Sequence, residues 1–232
     1  MLIKQKRSII PACDVRNLLE LHGLVSDTKD FKTIGGYKIG ISLVLEYGLI
    51  KVAKTIRALT NKPIIYDHQK AGNDIPDMGN KFAKACRSAK INAVILFPFA
   101  GIETQIAWIK ACQKEKLHII VGGEMTHGGF FSYIKEDAPS TILKTAASLG
   151  IKDFVLPGNK PDKIKEYREF LENKNEDRIT ETVYYSPGLI SQGGDITNAG
   201  KAAGKNWHAI VGRTIYQSNS IKETIEILSK QL

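Results

Sequence analysis

The sequence predicts an α/β fold, a single (β/α)8 TIM barrel over residues 1–232. One observation behind this is an eightfold alternation of short apolar strands with amphipathic stretches, repeating every roughly 25–35 residues within a length near the about 250 typical of such barrels. A second concerns the main competitor, an open doubly wound sheet, which carries a glycine fingerprint after its first strand. Here that place reads Cys13-Asp14-Val15-Arg16. A third is that no linker-like or low-complexity stretch divides the chain.

The predicted strands are Ser8–Cys13, Tyr37–Ile39, Pro63–Tyr66, Ala93–Phe97, His118–Val121, Asp153–Leu156, Val183–Tyr185 and Ala209–Val211. They are brief, rich in Ile and Val and closed by Gly, Pro or polar residues, as strands buried on both faces tend to be. Between them apolar residues recur at helical spacing: Leu49, Val52, Ala53, Ile56 and Leu59; Phe82, Ala85, Cys86 and Ala89; Ile102, Ile106 and Ile109; Ile142, Leu143, Ala146 and Leu149. Near the end Ser220 and Glu223 form a capping-box pattern, opening a helix that buries Ile221, Ile225 and Leu228.

Composition narrows the function classes. Hydrophobic residues make up 43% and charged residues 25%, too apolar a mixture for a disordered chain. No apolar run approaches the ~18 residues of a membrane span. The first residues are basic but lack the apolar core of a secretory signal, so a cytoplasmic location is expected. Cys13, Cys86 and Cys112 have neither disulfide nor zinc spacing, and Cys86 and Cys112 read as small core residues. The net charge of +9 favours anionic partners. It is spread over helical faces without interleaved aromatics, so neither nucleic acid nor membrane is expected to be the partner.

In a barrel the chemistry sits at the C-terminal ends of the strands. Those ends carry Asp14 after strand 1, Lys38 on strand 2, Asp67 to Asp74 after strand 3, Gly122 to Gly129 after strand 5, Ser186 to Asp195 after strand 7, and Gly212-Arg213 after strand 8. Glycine-bearing turns after strands 7 and 8 with one arginine suit a phosphate. Lysines and aspartates on strands 1 to 3 keep each other ionised in one cleft, and they can present acid and negative charge together without a metal.

These pieces make the sequence resemble the orotidine 5′-phosphate decarboxylase family in its shorter, archaeal-like form. The carrying segments are Cys13-Asp14-Val15, Tyr37-Lys38-Ile39-Gly40, Asp67…Lys70…Asp74-Ile75-Pro76, Glu124-Met125-Thr126-His127, Ser186-Pro187-Gly188…Gln192-Gly193-Gly194-Asp195, and Val211 to Tyr216. They lie in the family's order and span nearly the whole chain. The resemblance implies cofactor-independent decarboxylation of orotidine 5′-monophosphate to UMP in pyrimidine biosynthesis. Lys70 is then the proton donor to C6, Asp67 the neighbour of the substrate carboxylate, and Lys38 the link between ribose and charge array. Asp74 completes that array from the partner subunit of a homodimer. Among binding residues the resemblance assigns Asp14 to a ribose hydroxyl, Thr126 to the pyrimidine and Pro187 to the carboxylate side. It assigns Gln192, Gly193, Gly212 and Arg213 to the 5′-phosphate end, and Ile75 of the partner to the apolar pocket that CO2 enters. The Leu189–Asp195 loop is the expected lid, and no metal is implied.

The chain departs from the family's Asp-x-Lys-x-x-Asp pattern, because Asp67 and Lys70 are three apart and Lys70 and Asp74 four apart. On a regular strand Asp67 and Lys70 face opposite sides. A bulge or early strand end near His68-Gln69 is therefore expected, with Gly72 giving the turn its freedom. Met78 stands where many relatives have Thr, and it cannot donate a hydroxyl hydrogen bond to the ribose. His68 and His127 read as loop histidines.

Three other readings compete. One is a magnesium-dependent relative of the hexulose-phosphate synthase or keto-gulonate-phosphate decarboxylase kind, in which Glu124 and Asp67 would be oxygen ligands. Another is a barrel that binds the nucleotide without catalysis. A nucleic-acid-binding role, resting on net charge alone, comes last.

Overall fold

The computed structural model describes residues 2–68, 71–172 and 181–232. Its strands are β1 (Arg7–Pro11), β2 (Tyr37–Ile39), β3 (Ile64–Asp67), β4 (Ala93–Leu96), β5 (His118–Gly122), β6 (Asp153–Val155), β7 (Val183–Ser186) and β8 (Trp207–Val211). The helices are α1 (Leu18–Thr28), α2 (Ile41–Tyr47), α3 (Leu49–Arg57), α4 (Met78–Ser88), α5 (Ile102–Lys114), α6 (Ala138–Ser148), α7 (Pro161–Glu172), α8 (Ile196–Ala203), α9 (Arg213–Tyr216) and α10 (Ile221–Ser229). All ladders are parallel, in the order β1-β8-β7-β6-β5-β4-β3-β2. The remaining seam, β1 to β2, is joined by bridges Ile9 to Ile34 and Ala12 to Lys38, with the Cys13 N–H donating to Lys38 O at 2.8 Å. The result is the expected (β/α)8 barrel.

Strand alternation divides the apolar residues into two cores, since successive side chains point to opposite faces. Ile9, Ile39, Tyr66, Val94, Val121, Phe154, Tyr184 and Ala209 join the layer between sheet and helices. Their neighbours Ile10, Ile65, Ile95, Ile120, Val155, Tyr185 and Ile210 fill the barrel itself. This parity turns Lys38 and Asp67 inward, because Ile39 and Tyr66 belong to the outer layer.

Two of the four helical stripes need correction. Ile102 opens α5 and is 56% exposed, while the buried face is Thr104, Gln105, Trp108, Ile109, Ala111 and Cys112. Gln105 is tolerated there because its Nε2 donates to Ile142 O at 2.8 Å, satisfying a buried amide. On α4 the inward residues are Gly79, Ala83 and Cys86, and Ala85 faces solvent. The Ser220 cap is present, with its side chain accepting from the Glu223 N–H at 3.4 Å. All three cysteines are free and buried, and burial pushes their thiols up. Among the described residues no helix is long and apolar enough to cross a membrane.

Candidate active site

A cavity of about 600 Å³ opens at the C-terminal mouth of the barrel. At its floor the Lys38 ammonium lies 3.2 Å from Asp67 Oδ2 and 3.5 Å from Asp14 Oδ2. Burial alone would push this ammonium down. Attraction to Asp67 and then Asp14, with a hydrogen bond to Asp67, outweighs that and moves it upward. Lys38 is thus a fixed cation, and its side chain is only 10% exposed. Gly40 makes room for this arrangement, since a Cβ there would stand 2.3 Å from Asp14 Oδ1.

The rest of the wall comes from the other strand ends. Thr126 follows β5, Pro187 and Gln192 lie in the loop between β7 and α8, and Gly212 and Arg213 follow β8. Ile95, Phe97, Val155 and Ile210 supply apolar lining. Tyr216 joins from α9, its phenol pushed up by burial and then by the charge of Asp14. Gly188 has φ +84, and a Cβ there would meet Thr126 Cγ2 at 2.7 Å, so only glycine lets the β7 loop approach the β5 loop this closely.

Six of the expected residues therefore share this cavity with Lys38 and Asp67: Asp14, Thr126, Pro187, Gln192, Gly212 and Arg213. Gly193 does not line it. Its N–H donates to Ile190 O at 2.8 Å, and it borders a separate groove with Thr224 and Ile227. Asp74 and Ile75 also stand outside the cavity, and Ile75 is 61% exposed. Their loop is pinned by α5: Thr104 Oγ1 donates to Asp74 O at 3.0 Å, and Trp108 Nε1 to Ile75 O at 3.1 Å. β3 ends at Asp67, as the Asp67–Lys70 spacing requires, and Gly72 has φ +90. Gln69 and Lys70 lie outside the described residues. Met78 opens α4 and packs against the outer core.

The sequence gives no role to Asn159 or Tyr216 and places Glu124 only as a would-be magnesium ligand, yet all three line the cavity. Among the described residues, no group of three or more His, Cys, Asp or Glu is arranged to hold a metal ion.

A model of the orotidine 5′-phosphate decarboxylase / HUMPS family matches residues 7–227 of this chain. The chain belongs to this family. Within it, the orotidine 5′-phosphate decarboxylase of Methanocaldococcus jannaschii is 31% identical over 86% of this chain and 86% of its own length. That of Methanosarcina mazei is 30% identical over 95% of this chain and 93% of its own. The crystal structure of the M. jannaschii orotidine 5′-monophosphate decarboxylase complexed with the inhibitor BMP superposes with a TM-score of 0.85 at 29% identity. It covers 97% of this chain and 98% of that one.

Proposed function

We propose that this chain decarboxylates orotidine 5′-monophosphate to UMP, the step that supplies UMP in pyrimidine biosynthesis, without a metal or organic cofactor. The observation that carries the reading is the buried Lys38 ammonium held between Asp67 and Asp14 at the mouth of a barrel of this family. Loss of CO2 from C6 leaves a vinyl-type carbanion with little resonance delocalisation, so charge developing at C6 must be met by preorganised cations. Lys70 is the residue assigned to that stabilisation and to protonation of C6. Asp67 lies beside the leaving carboxylate, and Lys38 ties the array to the ribose with Asp14. Thr126 addresses the pyrimidine, Pro187 borders the carboxylate, and Gln192, Gly193, Gly212 and Arg213 take the phosphate end. Binding energy from the remote phosphate is then available to close the Leu189–Asp195 loop and dry the site.

The active unit in this reading is a homodimer in which Asp74 and Ile75 enter the partner's site. The exposure of both residues, on a loop braced by Thr104 and Trp108, supports that assignment. The magnesium-dependent alternative is disfavoured by the engagement of its would-be ligands. Glu124 is bound to Lys160 and Tyr167, and Asp67 to Lys38.

The test follows the loss of orotidine-monophosphate absorbance with purified protein. Turnover is expected with and without EDTA, and Lys70→Ala should abolish it. Turnover lost on chelation would assign the magnesium-dependent chemistry. UMP binding without CO2 release would make the barrel a non-catalytic binder.

A further inference from the structure

Glu124 is a carboxylate that the mechanism does not use, yet it lines the cavity with a side chain only 1% exposed. Both of its oxygens are occupied. Oε1 accepts from Lys160 Nζ at 2.6 Å, and Oε2 accepts from the Tyr167 hydroxyl on α7. Burial and then the hydrogen bond to Glu124 push that phenol up, so it remains a donor. Lys160 Nζ makes a second contact to Met125 O at 3.3 Å, and the adjacent Asn159 donates from Nδ2 to Thr126 O at 2.9 Å. The two residues preceding α7 therefore hold the carbonyls of two successive residues in the β5 loop. On the other side of that loop, Thr126 meets Gly188 at close range.

An ion pair with one buried member is a poor device for stability, since desolvating the buried carboxylate offsets much of the attraction. It does fix geometry, because removing Lys160 strands the Glu124 carboxylate in a dry place. What it fixes here is the backbone immediately before Thr126. We infer that Glu124 and Lys160 are positioning residues for nucleobase recognition: their ion pair, with Tyr167 as third member, sets the β5 loop so that Thr126 faces the substrate ring. This rests on the reading of the cavity as a pyrimidine-nucleotide site.

The experiment compares UMP with ribose 5-phosphate, which shares its ribose and phosphate but has no base. Glu124→Gln and Lys160→Met are expected to weaken UMP and raise KM by about 10- to 100-fold, the scale of a misplaced contact group. Ribose 5-phosphate affinity should change less than about twofold, a shift too small for any lost hydrogen bond. Lys160→Arg should restore UMP binding. Thr126→Ala should weaken UMP in the otherwise unchanged protein and add little in the Glu124→Gln background. If Glu124→Gln does not fold, Tyr167→Phe removes one hydrogen bond without stranding a charge, and the same split between ligands is expected of it. Equal weakening of both ligands, or an unchanged Thr126→Ala effect in the Glu124→Gln background, would overturn the inference while leaving the proposed function standing. Failure of the unaltered protein to bind UMP would instead overturn the function, and this inference with it.

Discussion

Ile190 holds the most unusual backbone conformation of the loop beside the cavity. Its φ is 60°, a region that a β-branched side chain enters only at a cost of about 1–3 kcal/mol. The turn that imposes it is closed by the Ile190 N–H donating to Gly194 O at 2.6 Å and by the Gly193 N–H donating back to Ile190 O. Ile190 is 37% exposed, so its packing is incomplete and offsets only part of the strain. Ile190→Gly should therefore raise unfolding stability by about 1 kcal/mol, read as a higher urea midpoint at unchanged m-value. A lower midpoint would mean that the side chain has packing worth more than the strain. The cavity was legible in the sequence to uneven depth. Lys38 and Asp67 follow from strand parity and from their place at the strand ends. Glu124 stood inside a motif, but its partners Lys160 and Tyr167 lie 36 and 43 residues further along. No local pattern announces a contact of that range. Adjacent glycines look alike in sequence, and only the structure shows that the Gly193 N–H donates within its own turn, to Ile190 O.

Three successive helix-to-strand junctions repeat one construction. After α4, α5 and α6 the chain passes through Lys90, Lys116 and Gly150, with φ of 57°, 56° and 82°. In each junction the following apolar residue donates back into the helix: Ile91 to Cys86 O, Leu117 to Cys112 O, and Ile151 to Ala146 O. These are Schellman-type ends with the apolar residue buried beyond the left-handed position, the place that favours glycine. Lys90→Gly and Lys116→Gly should each stabilise the protein by about 0.5–1 kcal/mol, and Gly150→Ala should destabilise it by a similar amount, all measurable by urea unfolding. Opposite signs would show that the lysine side chains contribute more than their backbone strain costs. Strands were legible to within a few residues because a buried parallel strand is a short Ile/Val run with punctuation. The face of α5 was not. Ile102, Ile106 and Ile109 keep helical spacing, but the surface around Gln105 and Trp108 satisfies the same period and buries a larger ring. Periodicity finds a helix more readily than it chooses between two of its faces.

The two ends of the barrel use charge differently. The mouth holds ionised pairs in reach of solvent, whereas the floor holds a closed polar layer. In that layer Ser8 Oγ meets His208 Nδ1 at 2.8 Å, and the Tyr185 hydroxyl donates to Asp153 Oδ1 at 2.9 Å. His118 brings Nε2 within 2.9 Å of the same carboxylate oxygen. His208 is 1% exposed, and burial pushes its imidazole down to about 4 despite the opposing pull of Asp153. The folded protein therefore keeps His208 neutral while the unfolded chain takes up a proton below its ordinary value near 6.5. The unfolded state binds more protons throughout the window from 6.5 down to about 4, so stability falls as pH falls through it. The loss amounts to about 3 kcal/mol at the lower edge. His68, which burial also lowers, adds slope in the same sense. Urea unfolding at pH 7, 5.5 and 4.5 should show this decline. His208→Asn places an amide where Nδ1 meets Ser8 and cannot titrate, so it should flatten the profile across that interval while leaving the mouth of the barrel untouched. An unchanged slope in the variant would place the acid sensitivity elsewhere than in the floor.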